Sequence, residues 1–140
     1  MRRAGVVRTM LVVAAQPTGE RNTEENARSN ISRHYDLSNA LFETFLDGSM
    51  TYSSALFDEL PARWDALETS QHRKIDRLLD AADVRAGTRL LEIGTGWGEL
   101  SVRAAKRGAT VRSVTLSTEQ QALARRRVAE AGLSDRVQID

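Results

Sequence analysis

Residues Arg89–Leu100 read RLLEIGTGWGEL. A short apolar run (Leu90, Leu91, Ile93) passes into glycines at alternate positions, Gly94, Gly96 and Gly98, and a helical pattern follows at once. The pattern is that of a strand, a tight loop and a helix N-terminus. Glycines allow positive φ and let a ligand approach the main chain, while the free N–H groups of the next helix attract a carboxylate or phosphate. The loop is therefore expected to hold a small charged ligand. Its spacing is E-x-G-x-G-x-G, with Glu92 two residues before the first glycine, and not the G-x-G-x-x-G of dinucleotide sites. That difference argues against a nicotinamide-dependent oxidoreductase.

Downstream, Leu100 to Arg107 reads as a crossover helix ended by Gly108, and Thr110 to Thr115 alternates as a second strand. Ser117-Thr118-Glu119-Gln120 is an S-x-x-Q capping box that opens a helix running to Ala131 and stopping at Gly132. Val137-Gln138-Ile139 begins a third strand. The order β-α-β-α-β predicts parallel strands joined by right-handed crossovers. The second strand ends without the acidic residue that often grips a ribose diol.

Upstream, Leu60 to Asp83 predicts a helix with Leu67, Ile75, Leu78, Leu79 and Ala82 on one side and His72, Arg73 and Lys74 on a solvated face. Another helix is expected over Asn30 to Asp47, burying Leu37, Leu41, Phe42, Phe45 and Leu46 and ending at Gly48. Residues 16–29 are polar, with a Pro and a Gly, and read as a linker. The expected divisions are an N-terminal arm over 1–29, a helical cap over 30–86 and a partial ligand-binding sheet over 87–140.

With 140 residues, 41% of them hydrophobic, the chain supports one core. A net charge of +1 gives no field that calls for nucleic acid, and the absence of cysteine excludes disulfides, thiolate metal sites and a cysteine nucleophile. Two histidines, His34 and His72, form no metal motif. The apolar run Met10 to Ala15 is too short to span a bilayer and short for a secretory signal, so the chain reads as cytoplasmic. Arg2, Arg3 and Arg8 read as a solvated end.

The glycine loop with its preceding acid resembles motif I of the class I S-adenosylmethionine methyltransferases. A longer set of blocks resembles the cyclopropane-fatty-acyl-phospholipid synthase family, including the mycolic acid cyclopropane synthases. The blocks are Arg21-Asn22-Thr23, Asn30-Ile31, His34-Tyr35-Asp36-Leu37-Ser38-Asn39, Phe45-Leu46-Asp47, Met50-Thr51-Tyr52-Ser53-Ser54-Ala55 and EIGTGWG, in the family's order. Gln71 and Lys74 match a Gln and a Lys in the family's segment before the first strand, and Thr115-Leu116-Ser117-Thr118-Glu119-Gln120 matches its Thr-Leu-Ser-x-x-Gln block. The resemblance runs from about Arg21 to Asp140.

It implies a Rossmann-like α/β methyltransferase fold, with S-adenosylmethionine as cofactor and the cis double bond of a phospholipid acyl chain as methyl acceptor. Proton loss from the added methyl then closes a cyclopropane ring, with a bound bicarbonate as the base. A lipid methyltransferase that leaves a methyl branch is the nearest alternative. On this mapping Glu92, Gly94, Gly96, Trp97 and Gly98 cradle the cofactor and Tyr52 and Ser53 border it. Thr115 and Gln120 lie at its ribose, and the backbone of Ser54 touches the bicarbonate. Trp97 reads equally as packing, Gln120 equally as a capping partner of Ser117, and Glu119 is the rival ribose ligand. A lipid substrate implies peripheral docking at the inner face of the cell membrane.

Two departures stand out. Glu99 occupies a position where relatives usually carry a small residue, and it is expected to repel the cofactor's carboxylate. The family's remaining bicarbonate ligands, a Glu, a His and a Tyr, belong to segments beyond Asp140. The first strand, which is central in the complete fold, is thus expected as an exposed apolar edge. The chain is expected to be the first part of a longer protein or a non-catalytic remnant.

Overall fold

The computed structural model describes residues 38–140, which belong to the second of the two units into which the chain divides, Asp36–Asp140. The expected arm over 1–29, the start of the helix at Asn30 and the block His34-Tyr35-Asp36 lie outside the described residues.

The elements in order are α1 (Asn39–Glu43), a 3₁₀ turn (Trp64–Ala66), α2 (Leu67–Ala81), β1 (Arg89–Ile93), α3 (Glu99–Lys106), β2 (Thr110–Val114), α4 (Thr118–Glu130) and β3 (Val137–Ile139). The strands form one parallel sheet in the spatial order β1-β2-β3, as the alternation of strands and helices predicted. Arg89 pairs with Thr110 and Ile93 with Val114, while Val111 pairs with Val137.

Period-2 alternation gives the sheet two unlike faces. Val111, Ser113, Val137 and Ile139 are buried, together with the partly covered Leu90 and Glu92. Helices α2, α3 and α4 complete that core with Ile75, Leu79, Val102, Ala104, Ala105, Ala124 and Val128. The small residues of α3 and α4 let helix approach sheet closely. On the opposite face Leu91 and Ile93 are 62% and 83% exposed, so among the described residues β1 is the apolar edge that was expected.

Tertiary packing revises two helices. The helix expected to end at Gly48 ends, within the described residues, at Glu43. Thr44 donates its hydroxyl to the Leu41 carbonyl (2.6 Å), and the chain turns there, leaving Phe42 buried and Phe45 partly exposed. Helix α2 begins at Leu67 and not at Leu60, and its buried residues are Ser70, Gln71, Ile75 and Leu79, while Leu78 is exposed. The buried face is rotated toward polar residues because the segment Thr51–Leu56 lies against it and needs donors for its carbonyls. His72, Arg73 and Lys74, expected on a solvated face, are all half-buried and paired for the same reason.

A second apolar cluster, Phe42, Met50, Trp97 and Leu123, sits beside the glycine loop. Phe42 packs against Trp97 with ring centroids 4.7 Å apart and planes tilted by 58°, and meets Tyr52 edge-on at 5.2 Å.

Candidate functional site

The loop after β1 is built by its glycines. Gly94, Gly96 and Gly98 have φ of 95°, 54° and 89°, a region that side-chain-bearing residues avoid. A Cβ at Gly94 or Gly96 would meet nothing within 4 Å, so these two bend the chain beside open space. A Cβ at Gly98 would lie 3.1 Å from the Ala124 Cβ, so this glycine sets how closely α3 and α4 approach. The amides of Gly94 and Thr95 both donate to the Val114 carbonyl (2.9 and 3.2 Å), which anchors the loop to β2. Those of Gly96 and Trp97 have no acceptor among the described residues, and they precede the open first turn of α3.

Glu92 sits beneath this loop on the helix-covered face. Its Oε2 accepts from the Ser101 hydroxyl (2.5 Å) and the Ser113 hydroxyl (2.7 Å), and Thr95 Oγ1 lies 2.6 Å from Ser113 Oγ. Since Ser113 spends its proton on Glu92, Thr95 is the donor in that last pair. Oε1 takes no hydrogen bond from the described residues. Burial pushes the carboxyl above the ordinary glutamate range, and the two serine hydroxyls pull it back. The three hydroxyls were not singled out from sequence. Ser113 alone carried a signal, a polar residue at an inward position of a strand.

Trp97 is 2% exposed and donates its indole N–H to Asn39 Oδ1 at 2.7 Å. Its ring belongs to the apolar cluster, which leaves its backbone to the loop. At the end of β2, Ser117 Oγ accepts from the Gln120 amide (3.2 Å), which is half of the expected capping box. The other half is not made: the buried Gln120 carboxamide oxygen accepts from Thr115 Oγ1 at 3.3 Å. Glu119 is exposed.

Tyr52, Ser53 and Ser54 form an exposed segment after α1. Gln71 and Lys74 of α2 bind it directly, through the carbonyls of Thr51 and Ser53 and the hydroxyl of Ser53.

Glu99 opens α3 and takes Arg127 Nη2 at 2.8 Å and His72 Nε2 at 3.1 Å, with Arg103 at 3.8 Å. Its charge is compensated by Arg103 of α3 and Arg127 of α4, so the expected source of repulsion is countered by paired cations.

These groups suit the amino-acid end of a nucleoside cofactor. Open glycine backbone with free amides could accept a carboxylate, and a carboxylate oxygen without a hydrogen bond from the described residues could accept an ammonium. Among the described residues no helix is long and apolar enough to cross a membrane.

The chain is 58% identical over 129 residues to the tuberculostearic acid methyltransferase UfaA1 of Mycobacterium tuberculosis, covering 89% of this chain and 30% of that protein. It is 39% identical over 95 residues to the cyclopropane-fatty-acyl-phospholipid synthase of Escherichia coli, covering 67% of this chain and 24% of that protein. Among solved structures it superposes on the cyclopropane synthase MmaA2 of Mycobacterium tuberculosis with a TM-score of 0.73 and 34% identity, over 81% of this chain and 39% of that one. The mycolic acid cyclopropane synthase CmaA1, crystallised with SAH and CTAB, gives 0.72 and 33% over the same shares. The chain thus spans between about a quarter and a third of the length of the curated relatives it matches. Its architecture is that of the Rossmann-like class I methyltransferases. The family model of the mycolic acid cyclopropane synthetases matches residues 22–140, and the chain belongs to that family.

Proposed function

We propose that this protein transfers a methyl group from S-adenosylmethionine to the cis double bond of a phospholipid acyl chain and closes a cyclopropane ring. The observation that carries the cofactor part is the loop itself: three glycines at positive φ, two of them beside open space, above a half-satisfied Glu92.

When bound, S-adenosylmethionine supplies an electrophilic methyl on a sulfonium. Glu92 Oε1 is suited to its ammonium, and the free amides of Gly96 and Trp97 with the first turn of α3 are suited to its carboxylate. Gln120, able both to donate and to accept, is the ribose ligand, with Thr115 setting its orientation. Tyr52 and Ser53 would border the cofactor, and the Ser54 amide would help hold a bicarbonate, which would supply a base for the proton of the added methyl. An alkene is a weak nucleophile, so these residues act by alignment and by excluding water.

Leu41, Phe45 and Tyr52 present partly exposed apolar surface beside this segment, the rings of Phe45 and Tyr52 lying 6.2 Å apart. That surface suits an acyl chain drawn from the cytoplasmic side of a membrane. A second reading, a methyl branch in place of a ring, is favoured by the 58% identity to a tuberculostearic acid methyltransferase.

The test is incubation of the protein with methyl-labelled S-adenosylmethionine and monounsaturated phospholipid vesicles. Label in the lipid with upfield cyclopropane protons supports ring closure, and label in a branched chain supports the second reading. No label in lipid, with SAH bound, overturns both.

A further inference from the structure

Three hydroxyls from three elements gather behind Glu92 of β1. Ser113 is its register partner on β2, Ser101 comes from the first turn of α3, and Thr95 lies between Gly94 and Gly96 in the loop. Both serines are fully buried and Thr95 is 4% exposed. A buried hydroxyl costs free energy unless it is bonded, and here all three protons run toward the acid. Ser101 and Ser113 donate to Oε2, and Thr95 donates to Ser113. A hydroxyl binds a carboxylate more strongly than a neutral carboxyl, and the Thr95 bond polarises the Ser113 hydroxyl in the same sense. The set therefore favours the ionised acid and pins one of its oxygens.

No cation takes that role among the described residues. Burial raises the Glu92 carboxyl, the two serines lower it, and no charged side chain contributes. The cations of the surrounding elements are engaged elsewhere: Arg103 with Asp76, Arg127 with Glu99, and Arg112, on the other face of the sheet, with Asp140. An internal Arg or Lys would cancel the charge of the acid. Hydroxyls stabilise the charge and leave it in place, so a half-buried carboxylate held by them alone suits a cation brought by a ligand. Oε2 carries both serine bonds, which leaves Oε1 for that ligand.

We propose that Ser101 and Ser113, backed by Thr95, are positioning residues that keep Glu92 ionised with one oxygen left for a ligand ammonium, and so make the site select an amino-acid ligand over its deaminated counterpart. The inference rests on the methyltransferase reading above and adds to it the hydroxyls that set the charge of the acid. None of the three touches the ligand. Ser101→Ala and Ser113→Ala each remove one donor to the carboxylate and no more than an oxygen atom from the core. Thr95→Val keeps the shape of the side chain and removes the bond that polarises Ser113, and Thr95→Ser keeps that bond.

The experiment follows the Glu92 carboxyl of the ligand-free protein, labelled with ¹³C at the glutamate side-chain carboxyls, through a pH titration, with Glu92→Gln identifying its resonance. Calorimetry then measures affinity for SAH and for deamino-SAH, in which hydrogen replaces the amino group, at a pH inside the Glu92 transition of the unsubstituted protein. Both serine variants should move the titration midpoint to higher pH. Thr95→Val should move it less in the same direction, and Thr95→Ser should return it. The double variant Ser101→Ala/Ser113→Ala should lose about tenfold or more in SAH affinity while deamino-SAH affinity changes by less than about threefold. In a Glu92→Gln background the same two substitutions should leave both affinities within about threefold. The proposal is overturned if neither serine variant moves the midpoint, or if the two ligands lose affinity in step, as a general loosening would cause. Failure of the unsubstituted protein to bind SAH would instead count against the cofactor reading, leaving the carboxyl titration to judge the hydroxyls by itself.

Discussion

Arg127 on α4 and Glu99 in the first turn of α3 meet at 2.8 Å, and the same guanidinium donates to the carbonyls of Ser49 (2.9 Å) and Gly48 (3.3 Å). One cation therefore ties the helix after the glycine loop to the chain entering Thr51–Ser54. Both side chains are largely covered, Arg127 at 19% and Glu99 at 14% exposure, so the pair is screened less than a surface ion pair.

Glu99→Ala should lower the stability of the fold by about 2 kcal/mol, because it leaves Arg127 partly buried with its charge uncompensated. It should not tighten SAH binding, since the carboxylate is already paired with the guanidinium groups of Arg127 and Arg103. Urea unfolding gives the first quantity and calorimetry the second. A clear gain in SAH affinity would restore the repulsive role that the sequence suggested.

Gly98→Ala and Gly94→Ala should separate the structural glycine from the ligand-facing one. Both have positive φ, which costs a side-chain-bearing residue about 1–2 kcal/mol, and at Gly98 the added Cβ also crowds Ala124 at 3.1 Å. Gly98→Ala should be the more destabilising by urea unfolding. Gly94→Ala, with open space around it, should lose more SAH affinity than stability.

Glu92 should make both stability and binding depend on pH. Its carboxyl is held above the ordinary glutamate range by burial, so the folded chain keeps the proton more tightly than the unfolded one. That contribution to stability is complete below the ordinary glutamate pKa and is lost as the pH rises through the raised value. Unfolding measured across this window should show a fall for the unsubstituted protein and a flatter profile for Glu92→Gln. SAH binding, which uses the ionised form, should strengthen over the same window and be weak and flat in Glu92→Gln. Ser113→Ala removes a hydrogen bond to the carboxylate and should move both transitions to higher pH.

Asn39→Ala should cost about 1–3 kcal/mol, since the Trp97 indole N–H is buried and bonded to Asn39 Oδ1 at 2.7 Å. In Trp97→Phe that donor is gone, so adding Asn39→Ala to it should cost much less than in the unsubstituted protein. A double-mutant cycle by urea unfolding measures the difference directly.

From Leu90 to Ile139 the sequence alone determined the order and type of every element, because strand and helix periods and glycine stops are local signals. The same stretch located the loop and its acid, since three positive-φ turns at alternate positions strongly favour glycine there. Tertiary structure decided the rest, because it depends on which groups meet across distance. Ser101 and Ser113 reach Glu92 from nine and 21 residues away, and Gln71 reaches Thr51 and Ser53 from 20 and 18. Periodicity assigned the face of α2 from its apolar residues, yet Gln71 and Lys74 were drawn inward because a segment of unpaired carbonyls was laid against them. Burying those carbonyls without donors costs more than burying an amide and an ammonium that satisfy them.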